Sequence, residues 1–179
     1  ALELPSIPQK LLIVGGGIIG VEFAGIFSSF GSDVTIVEFL PQILTSMDGE
    51  IAKRMEMELK RSRVKILTSS QVTQNRSNEG KLTATVAKGD KEDTYTVDTI
   101  LIATGRRPNT EGLGLKEAGI EFCQKSGIRV DRYLQTNLPG IYAIGDVTGN
   151  YLLAHVASAE GITAVDHILG SGREINYDA

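Results

Sequence analysis

Hydrophobic positions change their spacing along this chain in a way that separates strands from helices. Leu11 to Val14 is a short unbroken apolar run that stops at Gly15, Gly16 and Gly17, the texture of a strand covered on both faces in a parallel sheet. Beyond the glycines, Ile19, Phe23, Ile26, Phe27 and Phe30 recur at helical spacing, and Gly31 stands where a left-handed C-cap ends such a helix. Asp33 to Glu38 reads as a second strand through Val34, Ile36 and Val37. Together they form a strand-helix-strand unit of about thirty residues, with a right-handed crossover expected. A second helix is predicted with Asp48 as N-cap and Glu50 in its first turn. It carries Ile51, Met55 and Leu59 on one face and ends among Lys60, Arg61 and Arg63, a charge order that suits the helix dipole.

Val64 to Leu67 is a third candidate for a buried strand, after which the texture changes. Leu82, Ala84 and Val86 alternate with Thr83 and Thr85 between two turn signals, Asn78-Glu79-Gly80 and Lys88-Gly89-Asp90, which predicts an antiparallel meander with one wet face. Thr99 to Ala103 returns to a continuous apolar strand and runs into Thr104-Gly105-Arg106-Arg107-Pro108-Asn109, where glycine and proline stop it. A domain boundary is expected here, giving domains 1–107 and 108–179. The second has strand candidates at Ile128 to Val130 and Ile141 to Ile144, then a helix from Ala154 to Leu169 with Ala159, Ile162 and Leu169 on one side. There is no internal repeat.

Composition narrows the classes. The 179 residues, 41% apolar and 22% charged, suffice to bury a core. The net charge of −4 with scattered basic residues argues against a nucleic-acid partner. No apolar run approaches the roughly 20 residues of a membrane span. Residues Ala1 to Pro5 lack the pattern of a secretory signal and read as the start of an excised segment. Cys123 is the single cysteine, which fits a reducing compartment. As a redox thiol it would need a stabilising His or cationic cluster, and none is obvious nearby, so a partly buried small side chain is the preferred reading.

Gly15-Gly16-Gly17-Ile18-Ile19-Gly20 fits G-x-G-x-x-G, and its place between a strand and a helix gives the pattern its value as a dinucleotide fingerprint. Gly15 is expected to make the tight turn, Gly17 to let the backbone approach a pyrophosphate, and Gly20 to let helix pack on strand, with the helix N-terminus supplying free N–H groups. Glu38 follows Gly20 by eighteen positions, close to where a carboxylate bonds the adenine ribose hydroxyls. A 2′-phosphate would meet its charge, and Phe39 to Gly49 contains no Arg or Lys to neutralise it; NAD is favoured over NADP. Glu22 has two open readings, a favourable charge near the helix N-terminus or a residue facing the nicotinamide. His155 and His167 are not spaced with other ligands for a metal, and no nucleophile with a paired base is evident.

Four segments together resemble the pyridine nucleotide disulfide oxidoreductases, and within them the dihydrolipoamide dehydrogenase branch: Ile13 to Glu22, Ile102 to Asn109, Ile141 to Asp146 with its Tyr-Ala-Ile-Gly-Asp ending, and Leu153-Ala154-His155. The resemblance covers essentially the whole chain. It implies an α/β fold: a Rossmann-like NAD-binding domain with a parallel sheet, crossover helices and an antiparallel meander, plus an incomplete C-terminal part of an FAD-binding domain. It also implies that Gly15, Gly16, Gly17, Ile18, Ile19, Gly20, Val21, Glu22 and Glu38 line the NAD site, with Val72 and Gly105 carried over by position. Asp146 would accept a hydrogen bond from the FAD ribityl chain, with Leu152, Leu153, Ala154 and His155 near the flavin; without the resemblance, Asp146 reads equally as a turn or helix-start aspartate.

In that family NAD+ takes a hydride from reduced FAD, which a cysteine pair reduces in turn. This chain has no second G-x-G-x-x-G for the FAD pyrophosphate, no C-x-x-x-x-C pair and no C-terminal His-Glu segment, so no catalytic residue is assigned. The chain is expected to bind NAD(H) without oxidising dihydrolipoamide, and the face of the 108–179 segment that would meet the rest of an FAD domain is expected to be exposed. The parent would be a homodimer and a component of 2-oxo acid dehydrogenase complexes, cytoplasmic in a bacterium or in the matrix if its gene is nuclear. The alternatives are another NADH-dependent flavoprotein disulfide reductase, or a stand-alone nucleotide-binding module, which would have no use for Asp146.

Overall fold

The structure, a computed structural model, describes residues 3–78 and 81–178. The chain forms two compact units, Ala1–Gly105 and Arg106–Ala179. In the first, β1 (Lys10–Val14), β2 (Asp33–Val37), β3 (Lys65–Leu67) and β7 (Thr99–Ile102) make a parallel sheet in the order β3-β2-β1-β7. The central strands β1 and β2 run in register from Lys10↔Asp33 to Val14↔Val37. Helix α1 (Ile18–Ser29) connects β1 to β2, and α2 (Gly49–Arg61) lies between β2 and β3. The antiparallel meander β4 (Gln71–Asn78), β5 (Lys81–Lys88) and β6 (Lys91–Val97) intervenes before β7.

The pleat of β1 sorts the core into two layers. Leu11 and Ile13 face one side, where they pack with Val34, Ile36, Val21, Ala24 and Phe27 of α1, and Ala52 and Leu59 of α2. Leu12 faces the other, with Val37, Ala84, Val86 and Val97, so the meander covers the sheet face that the helices leave. The architecture is the expected α/β one, in three layers. The flanking strands of the meander escape a hydrophobic reading because residues 71–77 and Lys91–Val97 are mostly polar and exposed; backbone ladders to β5 specify them instead. Of the Asn78-Glu79-Gly80 turn, Glu79 and Gly80 lie outside the described residues.

Local signals at the helix ends hold. Helix α1 closes at Gly31, φ +91°, with Gly31 N–H donating to the Ser28 carbonyl and Ser32 N–H to the Phe27 carbonyl, both at 3.0 Å, a Schellman closure. Asp48 caps α2 by accepting from Glu50 N–H at 2.9 Å and Ile51 N–H at 3.3 Å.

The expected faces are rotated. Helix α1 buries Gly20, Val21, Ala24 and Phe27, while Ile26 and Phe30 are exposed. Helix α2 buries Ala52 and Leu59, while Ile51 and Met55 face outward. In each case small residues, Gly20 with Ala24 or Ala52, sit where the helix approaches the sheet, and a reading that follows large side chains misses the stripe by one position, or about 100° of helix. β3 and β7 are partly exposed rather than buried, since both are edges; Ile102 is 69% exposed.

The second unit has little regular structure: α3 (Leu115–Ala118), the short pair β8 (Phe122–Cys123) and β9 (Gly127–Ile128), a 3₁₀ turn Gly145–Thr148, and α4 (Ala154–Ile168). The strand expected at Ile128 to Val130 shrinks to Gly127–Ile128, and Ile141 to Ile144 forms no strand, only an isolated bridge between Tyr142 and Gln135. Both runs are short; Ile128 and Ala143 pack with Leu115 in a small cluster instead of a sheet, while Ile141 and Ile144 are exposed. Helix α4 spans the expected range but buries Glu160, Thr163 and Ala164. Ile162, Val165, Ile168 and Leu169 are exposed, with Leu152 and Leu153, so the predicted stripe of Ala159, Ile162 and Leu169 faces outward; this is the exposed apolar surface expected of the segment. No helix among the described residues is long and apolar enough to cross a membrane.

Leu12 is fully buried between sheet and meander. Leu12→Ala should lower the denaturant midpoint by the equivalent of about 2–5 kcal/mol. The exposed cap change Asp48→Ala should cost about 1 kcal/mol, and equal losses from the two would contradict a core centred on β1.

Candidate functional site

Where β1 ends, the backbone has nowhere to go except through glycine. Gly15 takes φ +110°, and a Cβ there would collide with the carbonyl of Ala103. Its N–H donates to the Val37 carbonyl at 2.8 Å, and Ala103 N–H donates to the Val14 carbonyl at 2.7 Å. The turn is thus wedged between the ends of β2 and β7. A Cβ on Gly20 would collide with the Gly15 carbonyl oxygen, so only glycine lets α1 start this close to the strand. Gly16 is held as closely: a Cβ would lie 2.7 Å from Ile43 Cγ2 and 3.1 Å from Glu38 Cβ.

Gly17 differs from these three. Its φ of −74° and ψ of −174° are open to any L-residue, and a Cβ would meet nothing within 4 Å. Nothing inside the chain requires glycine here. The space belongs to the exterior, directly at the start of α1, where Gly17 offers no side-chain cap and the first turn holds no acidic residue. The amides at the start of α1 lack intrahelical acceptors, since the first bond back to Gly17 comes from Val21 N–H. The result is an open, uncapped helix N-terminus with partial positive charge. Glu22 is the fifth helical residue and exposed, outside the first turn, so the reading of its charge as support for the dipole at that turn does not hold.

Glu38 stands one residue beyond β2, half-buried. Its Oε2 accepts from Gly16 N–H at 2.6 Å and its Oε1 from Leu40 N–H at 2.7 Å. The β3–β4 connection meets the same place: Ser70 N–H donates to the Glu38 carbonyl at 2.9 Å and Ser69 N–H to the Leu40 carbonyl at 3.0 Å. Val72 follows two residues later, at the irregular start of β4, with its side chain against the Leu12 layer. Gly105 closes the unit at φ +113°, exposed and with no neighbour to a Cβ. The structure therefore gathers Gly15 to Gly20 and Glu38 into one hydrogen-bonded assembly, with the β3–β4 connection joined through Ser70.

In the second unit Asp146 lies in the 3₁₀ turn rather than at a strand end, which corrects the expected setting. Its carboxylate accepts from Arg106 at 2.9 Å, an ion pair about half exposed on both sides. The two line a cavity of about 450 Å³ with Arg107, Asn109, Lys125 and Leu152. Three cations against one carboxylate give this cavity a positive balance. Leu153, Ala154 and His155 open α4 and are exposed.

Sequence reasoning missed what holds Asp146 in position. Glu160 of α4 is fully buried, and its carboxylate accepts from Gly145 N–H at 2.6 Å and from the Tyr177 hydroxyl at 2.7 Å. Burial, with Glu160 as partner, pushes the Tyr177 hydroxyl well above its ordinary value. A glutamate in the middle of a helix whose neighbouring positions are mostly apolar or small, Ala157, Ala159, Gly161 and Ala164, was the available signal. Cys123 also departs from expectation: it is exposed, and hydrogen bonding from Ser126, then the backbone at Lys125 and Ser126 and the Lys125 charge, lower its thiol to about 7. The stabilising groups lie two and three residues on, brought back by the β8–β9 hairpin. No metal-binding group of three candidate ligands occurs among the described residues.

Residues 1–161 match the family described as pyridine nucleotide-disulphide oxidoreductase. A dihydrolipoyl dehydrogenase of Acholeplasma laidlawii is 46% identical over 98% of the chain and 51% of its own length, and that of Bacillus subtilis 42% identical over 98% of the chain and 38% of its own. The HOCl-induced flavoprotein disulfide reductase of Escherichia coli, solved as a Cu(II) complex, superposes with a TM-score of 0.88 at 34% identity, over 99% of this chain and 40% of that one. The chain thus spans about half or less of the length of these relatives.

Gly17 and Gly20 should separate function from fold. Gly17→Ser, which adds a good N-cap, should leave stability within about 0.5 kcal/mol while weakening dinucleotide binding. Gly20→Ala should destabilise the chain by about 1–3 kcal/mol; chemical denaturation of both variants, with calorimetric titration of the first, checks the contrast. Alkylation of Cys123 by iodoacetamide should rise with pH through a midpoint at about 7. Ser126→Ala should move that midpoint upward; an unchanged midpoint would contradict the hydrogen bond as the leading cause.

Proposed function

The chain belongs to the pyridine nucleotide-disulphide oxidoreductases, and on that footing we propose that it supplies the NAD(H) site of an FAD-dependent dihydrolipoamide dehydrogenase. In this reading 1–107 is the NAD-binding domain and 108–179 the C-terminal part of an FAD-binding domain. The carrying observation is Gly17: a glycine that neither backbone conformation nor packing requires, at an uncapped helix N-terminus. An anionic pyrophosphate lying against that backbone accounts for both features.

Glu38 supplies the choice of nucleotide. Its carboxylate borders the glycine turn, suited to the hydroxyls of an adenine ribose and opposed to a 2′-phosphate. The NAD site then comprises Gly15 to Glu22 and Glu38, with Val72 and Gly105 at its margin. Asp146, with Leu152 to His155, is the contribution to the flavin side. The cavity beside Asp146, bordered by Arg106, Arg107 and Lys125, has the polarity for a cofactor that carries hydroxyls and phosphate. Bound flavin would supply the electron transfer between thiol and nicotinamide; the chain's own residues bind and orient. With Cys123 as its one cysteine, the chain holds no disulfide of its own to react with dihydrolipoamide. The whole protein is read as a homodimer serving 2-oxo acid dehydrogenase complexes, in the cytoplasm. A second reading, an NADH-dependent disulfide reductase of different substrate, is favoured by the likeness to the Escherichia coli enzyme.

Calorimetric titration of the chain with NADH and NADPH tests the proposal. NADH should bind, and NADPH at least tenfold more weakly, a difference of about 1.4 kcal/mol. Equal affinity for the two removes the role given to Glu38, and absence of NADH binding removes the site.

A further inference from the structure

The carboxylate of Glu38 is engaged before any ribose arrives. Oε2 takes the N–H of Gly16 and Oε1 the N–H of Leu40, at 2.6 and 2.7 Å, short distances that mark charge-assisted bonds. The loop after β2 answers from the other side, where Leu44 N–H donates to the Gly16 carbonyl at 2.9 Å. Both polar groups of the Gly16 backbone are therefore held by residues 38–44. The Ile43 side chain fills the space where a Gly16 Cβ would stand. This is a closed brace: carboxylate to glycine turn, glycine turn to Leu44, Leu44 back along the loop to Leu40 and the carboxylate.

We propose that Glu38 is a positioning residue for the phosphate-binding turn, in addition to its contact with the ribose; the proposal rests on the NAD reading above. Gly16 lies between the strained Gly15 and the open Gly17, so fixing its N–H direction fixes where the Gly17 backbone and the first turn of α1 face. A carboxylate has about four acceptor sites; two hold amides, leaving two for the ribose hydroxyls. Binding therefore adds to the brace without dismantling it. Nucleotide choice and pyrophosphate binding become coupled through one side chain: a substitution made to admit a 2′-phosphate also releases the Gly16 amide that shapes the phosphate site.

The test separates the two roles with a ligand that lacks the ribose contact. The chain and its isosteric variant Glu38→Gln are titrated with NADH and with the NADH analogue whose adenosine lacks both the 2′- and the 3′-hydroxyl. The side-chain amide of the variant can accept only one of the two N–H groups through oxygen and presents a donor to the other. If Glu38 positions the turn, Glu38→Gln weakens binding of the dideoxy analogue by tenfold or more. If it acts on ribose alone, wild type and variant bind the analogue equally, and the proposal is overturned. A ligand-free arm follows Gly16 amide hydrogen exchange, which should accelerate at least tenfold in the variant while Leu12 and Ile13 exchange at wild-type rates, reporting an intact sheet. Unchanged Gly16 exchange overturns the brace.

A third measurement needs no variant. In the wild-type chain, scalar couplings across the hydrogen bonds should connect the Gly16 and Leu40 amides to the Glu38 side-chain carboxyl carbon; absence of both couplings overturns the proposal. Should the wild type bind neither nucleotide, the NAD reading fails by itself, and the exchange and coupling arms still decide whether the brace exists.

Discussion

The first unit is organised by a steric fact at the end of β1: the chain must turn sharply in a space bounded by the ends of β2 and β7, and only a residue without a Cβ fits. Gly15 satisfies that demand with φ +110° against the Ala103 carbonyl. Once it turns, α1 must begin at once, and Gly20 must lie against the Gly15 carbonyl. The helix therefore starts with its first amides gathered at the carboxyl edge of the sheet, where open α/β sheets form ligand crevices. Two of the glycines are thus explained by the fold. Gly17 is not, and the distinction turns a common sequence pattern into evidence for a site.

The same distinction shows how much could be read from residues alone. The unbroken apolar runs of the first unit, the glycine turn, the Asp48 cap and the Gly31 closure are local signals, and each is found in the structure. The inward faces of α1 and α2 were legible only in part, at Phe27 and Leu59, and that of α4 not at all, because each helix also packs through small or polar residues: Gly20 and Ala24, Ala52, and Glu160 with Thr163. Closeness of approach and hydrogen-bond partners decide such faces, and neither is encoded in side-chain size. The strands β4 and β6 were hidden for a related reason, their pairing being specified by the backbone while most of their side chains meet water.

Of the site, the sequence carried positions but not connections. Glu38 could be placed near the glycine turn by counting; its bonds to the Gly16 and Leu40 amides depend on how the loop to Leu44 folds back. Asp146 could be singled out only by resemblance, and neither its partner Arg106 nor the Glu160 bond to the preceding glycine is visible in spacing. Cys123 gives the same lesson in reverse. Its surroundings looked bland until the hairpin brought Lys125 and Ser126 to the thiol.

The two units rest on different physics. The first has a two-layered apolar core around β1 and can tolerate a polar, open crevice at its edge. In the second, the apolar cluster is small, and the segment before Asp146 is fixed by a buried carboxylate instead. Glu160 has no exposure, yet both its oxygens hold donors, Gly145 N–H and the Tyr177 hydroxyl. A carboxylate withdrawn from water is tolerable only when so satisfied, and losing either donor costs more than the bond itself because the charge stays buried. The geometry of Asp146 is therefore tied to a residue thirty-one positions later, Tyr177, through Glu160 and Gly145. Meanwhile α4 turns Ile162, Val165 and Ile168 outward. Specific polar bonds fix this turn while the larger apolar side chains of the same helix remain exposed, so burial of those side chains is not what holds the turn.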